Sequence, residues 1–141
     1  MAITISDLYM RLEAGQENGL LPSDPVYVYD FNSRNDDQYQ KGEIAGIFEY
    51  RAPTDADIDR YFVDSQDIIF TTTFGPSRFT VADLELVVCT LLEEGKGFCP
   101  VVAHRKESDH MVVVDGAEMA FFDVTQDRYF ALLVDIELSL V

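Results

Sequence analysis

The sequence predicts an α+β fold made of two tandem, degenerate helix-strand-strand-strand repeats, packed as one pseudo-twofold unit with a mainly antiparallel sheet. Three observations predict it: two similar helix starts, two strands led by Pro, and a tetrapeptide that occurs twice. We expect the first repeat to cover residues 1–74 and the second residues 80–141. Residues 75–79 contain a Gly-Pro turn and are expected to form the linker. Because this linker is short, the two halves should pack together.

The two helix starts match in residue type and in order. Thr4-Ile5-Ser6-Asp7-Leu8 and Thr80-Val81-Ala82-Asp83-Leu84 each place a Thr three residues before an Asp. The Thr side chain can accept a hydrogen bond from the first helical turn, and the Asp can reach back to the Thr N–H. Apolar residues follow the second start at helical spacing. They predict a buried stripe formed by Leu84, Val87, Val88, Leu91 and Leu92.

Strands are predicted after each helix, because β-favouring residues follow Pro25 and again follow Pro100. The tetrapeptide Asp-Arg-Tyr-Phe then occurs once in each copy, at 59–62 and at 127–130. This shared order supports a duplication. The predicted strands lie at 25–29, 43–49 and 67–73 in the first copy and at 100–104, 118–123 and 131–136 in the second.

The second copy is expected to contain a tight hairpin. Met111 to Val114 form an apolar run that is followed by Asp115-Gly116. Because Asp-Gly supplies the positive φ values that a two-residue turn needs, we expect the chain to reverse there into a strand that runs from Glu118 to Val124.

The first copy instead carries two polar, acidic excursions, at 32–42 and 52–66. Segments of this length are usually functional or mobile. Within the second excursion, Thr54 followed by acidic residues predicts a short helix. Its buried face is expected to contain Ile58, Tyr61 and Phe62.

The chain is strongly acidic, with 26 Asp and Glu against 10 Lys and Arg and a net charge of −16. Both predicted halves share the excess, so it belongs to folded surface rather than to a tail. The local maximum runs from Asp24 to Asp67 and includes both excursions. A charge this negative is repelled by phosphate backbones and anionic lipids, which argues against direct nucleic-acid and membrane binding.

No catalytic motif is recognisable, so neither enzyme activity nor a cofactor is expected. The sequence contains no Gly-rich phosphate loop and no nucleophile motif. Asp55, Asp57 and Asp59 have the spacing of the first ligands of an EF-hand, but Arg60 stands where that loop needs Gly and Gln66 where it needs Glu. The two cysteines and two histidines are not spaced as zinc ligands. No metal site is therefore expected.

The chain is expected to be cytoplasmic, in the host cytoplasm if a phage encodes it. Its first residues lack the positive charge that precedes the apolar part of a secretory signal. Two cysteines are too few for a disulfide framework, and no apolar run reaches the length of a membrane helix.

The acidity is therefore expected to serve recognition of a basic host protein or nucleoprotein complex. Surface carboxylates would occupy a Lys/Arg groove built for phosphates, and aromatic anchors would slow release. This is the mechanism of a small acidic inhibitor of the anti-restriction or anti-CRISPR type that phages use. The residues expected to bind are Asp36, Asp37, Asp55, Asp57, Asp59, Asp64 and Asp67, with Tyr27, Tyr29 and Tyr39 as anchors.

Two other classes stay open. An immunity protein that neutralises a basic nuclease toxin would carry the same charge. A structural or accessory domain from a saline-adapted proteome would also be acidic, without using the charge for binding. Salt separates these classes, because screening weakens a charge-driven complex and leaves an apolar contact in place.

Overall fold

Each of the three helices in the described residues begins at a threonine. The computed structural model describes residues 2–30, 44–73, 75–106, 109–122 and 124–134. In every helix the threonine side chain accepts a hydrogen bond from the N–H of an aspartate three residues later, and that aspartate accepts one from the threonine N–H. The two predicted helix starts and the helix predicted after Thr54 are confirmed. The helices are α1 (Ile5–Glu17), α2 (Asp55–Tyr61) and α3 (Val81–Glu93).

In the described part of the chain, six strands close into one barrel, in which their order follows their order in the chain. They are β1 (Val26–Asp30), β2 (Ile44–Arg51), β3 (Ile68–Thr73), β4 (Val101–Arg105), β5 (His110–Phe121) and β6 (Arg128–Val134). The pairs β1–β2, β2–β3, β4–β5 and β5–β6 are antiparallel, whereas β3–β4 and β1–β6 are parallel. The α+β class is confirmed. The sheet is mixed, so the prediction of a mainly antiparallel sheet is wrong.

Both parallel pairs lie between the two predicted halves of the chain. After β3, helix α3 returns the chain to the end of the barrel where β3 began, so that β4 runs in the same direction. Once the other pairs are antiparallel, closure of the barrel makes β6 parallel to β1. The sequence patterns were analysed within each half, so they could not predict the direction of these two strand pairs, which depends on contacts between the halves.

The hairpin predicted at Asp115-Gly116 is also wrong, because β5 continues through both residues. Up to Val113 the strand pairs with β4, and from Val114 onward it pairs with β6. The register shifts between Val114 and Gly116, as in a β-bulge, and Gly116 does not adopt the positive φ of a tight turn. Gly116 therefore lies at a bulge in β5, a strand that pairs with both β4 and β6.

The hydrophobic core fills the barrel and continues into the two longer helices. Phe70 and Phe130 are fully buried inside the barrel, and Leu8 of α1 is fully buried in the same cluster. On α3, the predicted stripe is buried at every position except Leu92, which packs partly exposed against the core. α1 and α3 thus cover the barrel core with one face each.

Two isolated bridges join the start of each long helix to the start of a strand in the other predicted half. Thr4 pairs with Pro100, just before β4, and Pro25, just before β1, pairs with Thr80. The helices themselves are in contact, since Gln16 Nε2 on α1 donates to Glu85 Oε2 on α3 at 2.7 Å. The two predicted halves therefore contact each other through their helices as well as through the sheet.

Candidate functional site

Helix α2 lies on the outside of the barrel, over strands of both predicted halves. Tyr61 and Val63 pack against Ile69 of β3, Val102 of β4 and Met111 of β5, in a small cluster separate from the barrel core. This cluster fixes one face of α2 against the sheet. The opposite face, which carries Asp55 and Asp59, is directed to solvent.

Three carboxylates and one aromatic ring are exposed on α2 and the turn after it. Asp55, Asp59 and Asp64 are exposed, and the Phe62 side chain is 79% exposed. We call Asp55, Asp59, Phe62 and Asp64 the α2 surface. Among the described residues, none of the three carboxylates forms an ion pair.

Phe62 is exposed because the helix ends at this residue in the left-handed conformation, with φ of 58°. Its N–H still donates to the Ile58 carbonyl, and its side chain leaves the helix outside the buried face. The prediction of a buried Phe62 is wrong, since helical spacing applies only as far as the chain stays helical. Tyr61 is buried as predicted, and Ile58 is half-buried.

Asp57 is buried, contrary to the surface position expected for it. The Arg51 guanidinium forms a two-point contact with its carboxylate, with Arg51 Nη2 at 3.1 Å from Asp57 Oδ1. Hydrogen bonds from Arg51, assisted by those from Thr54, lower the pKa of Asp57 to about 2. This carboxylate caps α2 and ties it to β2, so it is not available to a partner.

Asp67 is buried as well, and its expected surface position is wrong. Its carboxylate accepts a hydrogen bond from the Asp64 N–H at 2.8 Å and closes the turn between α2 and β3. Burial raises the pKa of Asp67. The charge of this group is therefore disfavoured by the fold, and the side chain serves the turn.

A second polar cluster fastens α2 to the connection between β4 and β5. The Asp109 carboxylate accepts hydrogen bonds from the Tyr61 hydroxyl and the Arg60 guanidinium, and it lies 2.9 Å from His104 Nε2. The hydrogen bond from Tyr61, followed by that from His104, lowers the pKa of Asp109. The cluster holds the α2 surface in place. Ser108, the hydroxyl that lies between the two histidines in the sequence, is outside the described residues.

Of the three predicted tyrosine anchors, the two that the structure describes lie in different environments. Tyr29 is buried in an aromatic cluster with Tyr129, on the outer face of β1 and β6. Tyr27 is half-buried and its ring meets the Phe122 ring edge-to-face at 5.6 Å. Asp36, Asp37 and Tyr39 lie outside the described residues. The structure thus gathers Asp55, Asp59 and Asp64 on one surface and places Tyr27 on the opposite side of the barrel.

Exposed acids on α1 and α3 were missed by the sequence analysis. Glu13 and Glu17 are exposed on α1, and Glu93 is exposed on α3. Met10 and Leu86, with exposed fractions of 66% and 70%, lie on the same helix faces. The spacing of three and four residues that predicted the buried stripe also places these side chains on the opposite face, so the signal was present in the sequence.

Within the described residues, no group of three or more His, Cys, Asp or Glu side chains is arranged to hold a metal ion. In the same part of the chain, no helix is both long and apolar enough to cross a membrane.

The comparisons with known proteins gave no relative: no family model, no curated protein and no solved structure matches the chain. The fold and the α2 surface therefore carry the functional argument by themselves.

Proposed function

We propose that the chain is a small acidic protein that binds a basic host protein or nucleoprotein complex and blocks its phosphate-binding groove by charge mimicry. This is the action of a phage anti-defence protein of the anti-restriction or anti-CRISPR type, working in the host cytoplasm without a chemical step. The observation that carries the proposal is the α2 surface, where three exposed carboxylates without an ion pair among the described residues lie on the same helix and turn as an exposed aromatic ring.

The proposal assigns different roles to charge and ring. Asp55, Asp59 and Asp64 would meet Lys and Arg side chains that otherwise bind phosphates, which speeds encounter more than it raises final affinity. Phe62 would enter an apolar part of the partner, where aromatic side chains contribute most to slow dissociation. Because Asp57 and Asp109 already have partners inside the fold, they hold α2 in position and do not compete for the groove.

The excess of negative charge on the described exposed surface also supports binding to a basic partner. Of the described residues, the exposed cations are Arg11, Arg60, Arg78, Lys96 and Lys106. The exposed carboxylates are more than twice as numerous: Asp7, Glu13, Glu17, Glu49, Asp55, Asp59, Asp64, Asp83, Glu93, Glu94, Glu118 and Asp127. A basic groove would be attracted to this molecule from many orientations, and the α2 surface would fix the final one.

We also propose that the two halves arose by duplication and are related by a pseudo-twofold axis, as one unit with residues 75–79 as the linker. Three features support it. α1 and α3 have the same length and the same Thr-Asp cap, 76 residues apart. The bridges Thr4–Pro100 and Pro25–Thr80 are reciprocal. The two parallel strand pairs join the halves in the same way on opposite sides of the barrel.

The function is tested with tagged protein in a lysate of candidate host cells, comparing wild type with the triple variant Asp55→Asn, Asp59→Asn and Asp64→Asn. Wild type should capture a nucleic-acid-handling complex that duplex DNA or added salt displaces, and the triple variant should bind about tenfold more weakly. A matched control removes three charges elsewhere, with Glu17→Gln, Glu93→Gln and Glu94→Gln, and should retain capture.

The ring is tested separately with Phe62→Asn, because Asn tolerates the left-handed backbone at this position. This variant should dissociate faster while keeping the salt dependence of the wild type. A captured partner that ignores both DNA and salt would contradict phosphate mimicry. A captured basic nuclease toxin, held at its active site, would favour the immunity class instead.

A further inference from the structure

A groove runs along the start of the parallel pair β1–β6, on the side of the barrel opposite α2. Its volume is about 590 Å³, and it is open to solvent along its length. One wall comes from the start of β1 and the other from the turn between β5 and β6. The lining residues that matter here are Asp24, Tyr27, Phe121, Phe122, Asp127 and Arg128.

The aromatic walls of the groove are fixed by ring contacts. The Tyr27 ring stands nearly perpendicular to Phe122 and to Tyr129, with centroid distances of 5.6 Å and 5.7 Å. Phe122 and Tyr129 are themselves 4.4 Å apart. Rings held by several neighbours lose little freedom when a ligand arrives, so these walls are preorganised. Phe121 is 48% exposed and adds aromatic surface at the rim.

The described lining residues of the groove carry one negative charge in excess. Arg128 Nε lies 3.4 Å from Asp24 Oδ2, so these two lining residues neutralise each other. Asp127 is exposed and forms no ion pair among the described residues. A ligand that enters between the rings therefore meets the uncompensated carboxylate of Asp127, which favours a cation.

The chain shows the same chemistry within itself at another place. Phe48 has the Arg78 guanidinium 4.3 Å from its ring centroid and the Lys106 ammonium 5.0 Å from it. No cation of the described residues lies over Tyr27 or Phe122 in this way. The groove thus presents aromatic walls and a carboxylate, while Arg128, the cation among its described lining residues, is paired with Asp24.

We propose that this groove binds an Arg or Lys side chain on an exposed segment of a protein partner, with the side chain against the Tyr27 and Phe122 rings and its charge beside Asp127. The inference rests on the proposed function only in taking the partner to be basic. Because the groove and the α2 surface lie at opposite joins of the barrel, one can fail without the other.

The test uses ¹⁵N-labelled full-length chain and a defined probe, the capped tripeptide acetyl-Gly-Arg-Gly-amide. Its titration should shift the backbone amides of Tyr27, Phe122 and Arg128. The same peptide with citrulline in place of Arg, which keeps the shape and loses the charge, should produce no such shifts. Asp127→Asn should weaken Arg-peptide binding about threefold, the size expected of one exposed charge contact, because the rings stay in place.

Asp55→Asn, on the α2 surface, is the matched control and should leave binding unchanged. Phe121→Ser tests the rim ring without touching the buried cluster and should also weaken binding. Equal shifts with the citrulline peptide, or shifts spread over all acidic surfaces, would overturn the proposal. Spermidine binding in the groove without binding of the Arg peptide would overturn it too, because the site would then recognise a free polyamine.

Failure of this titration with retained, DNA-sensitive capture from lysate rejects the groove alone. Loss of capture with an intact titration rejects the α2 surface alone.

Discussion

Asp57 lies between two exposed acids of the same helix, yet the fold uses it as an internal ion-pair partner. Its pKa of about 2 lies below the usual 3.8 of an aspartate because Arg51 binds the ionised form. The unfolded chain therefore takes up this proton first as the pH falls. The stabilisation is fully present above about pH 4 and is lost as the pH falls through about 2.

Asp57→Asn should therefore lower the free energy of unfolding by about 2 kcal/mol at pH 7. Urea denaturation at pH 7 and at pH 2.5 measures it, and the difference between variant and wild type should shrink at the lower pH. Asp59→Asn, an exposed neighbour on α2, is the control and should change stability by less than about 0.5 kcal/mol. An equal effect of the two variants would show that Asp57 is not held as described.

Asp67 should show the opposite sign. Burial raises its pKa, so the folded chain holds this proton more tightly than the unfolded chain does. The contribution of Asp67 to stability is complete at low pH and is lost as the pH rises through the folded pKa. Asp67→Asn keeps an oxygen for the Asp64 N–H and removes the buried charge. It should raise the urea midpoint at pH 7 and leave it unchanged at pH 3, and a lower midpoint at pH 7 would contradict the argument.

At the residue scale, sequence patterns predict hydrogen bonds between residues that are close in the chain. The cap formed by Thr54 and Asp57 has the spacing of Thr4 and Asp7 and was open to prediction. The burial of Asp57 was not, because Arg51 belongs to a neighbouring strand and its position depends on how α2 packs on the barrel.

Strand β2 depends on one position without a side chain. A Cβ at Gly46 would lie 2.6 Å from the Ser77 Cα and 2.8 Å from its N, both backbone atoms that have no alternative rotamer. Gly46→Ala should cost about 1–3 kcal/mol in the free energy of unfolding. Gly116→Ala is the control, since a Cβ there meets only ordinary contacts at 3.5 Å or more and φ is not positive.

Denaturant midpoints of the two glycine variants test the close approach of the 75–79 segment to β2. A loss confined to Gly46→Ala supports it, whereas equal losses would mean that both strands simply need glycine.

Helix α2 is short and depends on its contacts with the rest of the fold. Asp109 provides two of them, to Arg60 and Tyr61, and also contacts His104 of β4, from a backbone with φ of 55°. Asp109→Asn keeps a residue that tolerates this conformation and removes the charge. Amide hydrogen exchange should become faster in residues 55–61 and stay unchanged in β1 and β6. The control Asp127→Asn should leave α2 protection as it is, and unchanged exchange in Asp109→Asn would show that the apolar contacts of Tyr61 suffice.

Elements were predicted best where one pattern dominates. The α3 stripe and the Pro-led strands follow from local periodicity and turn chemistry. The prediction of a hairpin at Asp115-Gly116 was wrong because Asp-Gly is compatible with both a tight turn and a bulge. Only the long-range pairing of β5 with β4 and β6 decides between them.

At the scale of the whole molecule, the described strands form a closed barrel whose two predicted halves meet at the parallel pairs β3–β4 and β1–β6. Helix α2 lies over the first pair, and the groove lies at the second. The α+β class was accessible from the sequence. The direction of the joins was not, since it depends on contacts between residues far apart in the chain. The same limit applies to the candidate site, where the division of the acids of the second excursion into exposed and buried groups depends on the fold.

The net charge of −16 belongs to the molecule as a whole, and we propose that it is used to occupy a groove that otherwise holds nucleic acid. The most direct measurement is a competition between the chain and duplex DNA for the purified captured partner, at two salt concentrations. We expect binding to be mutually exclusive, so that the apparent Kd of the chain rises with DNA concentration and both complexes weaken with salt. A stable ternary complex of partner, DNA and chain would contradict it.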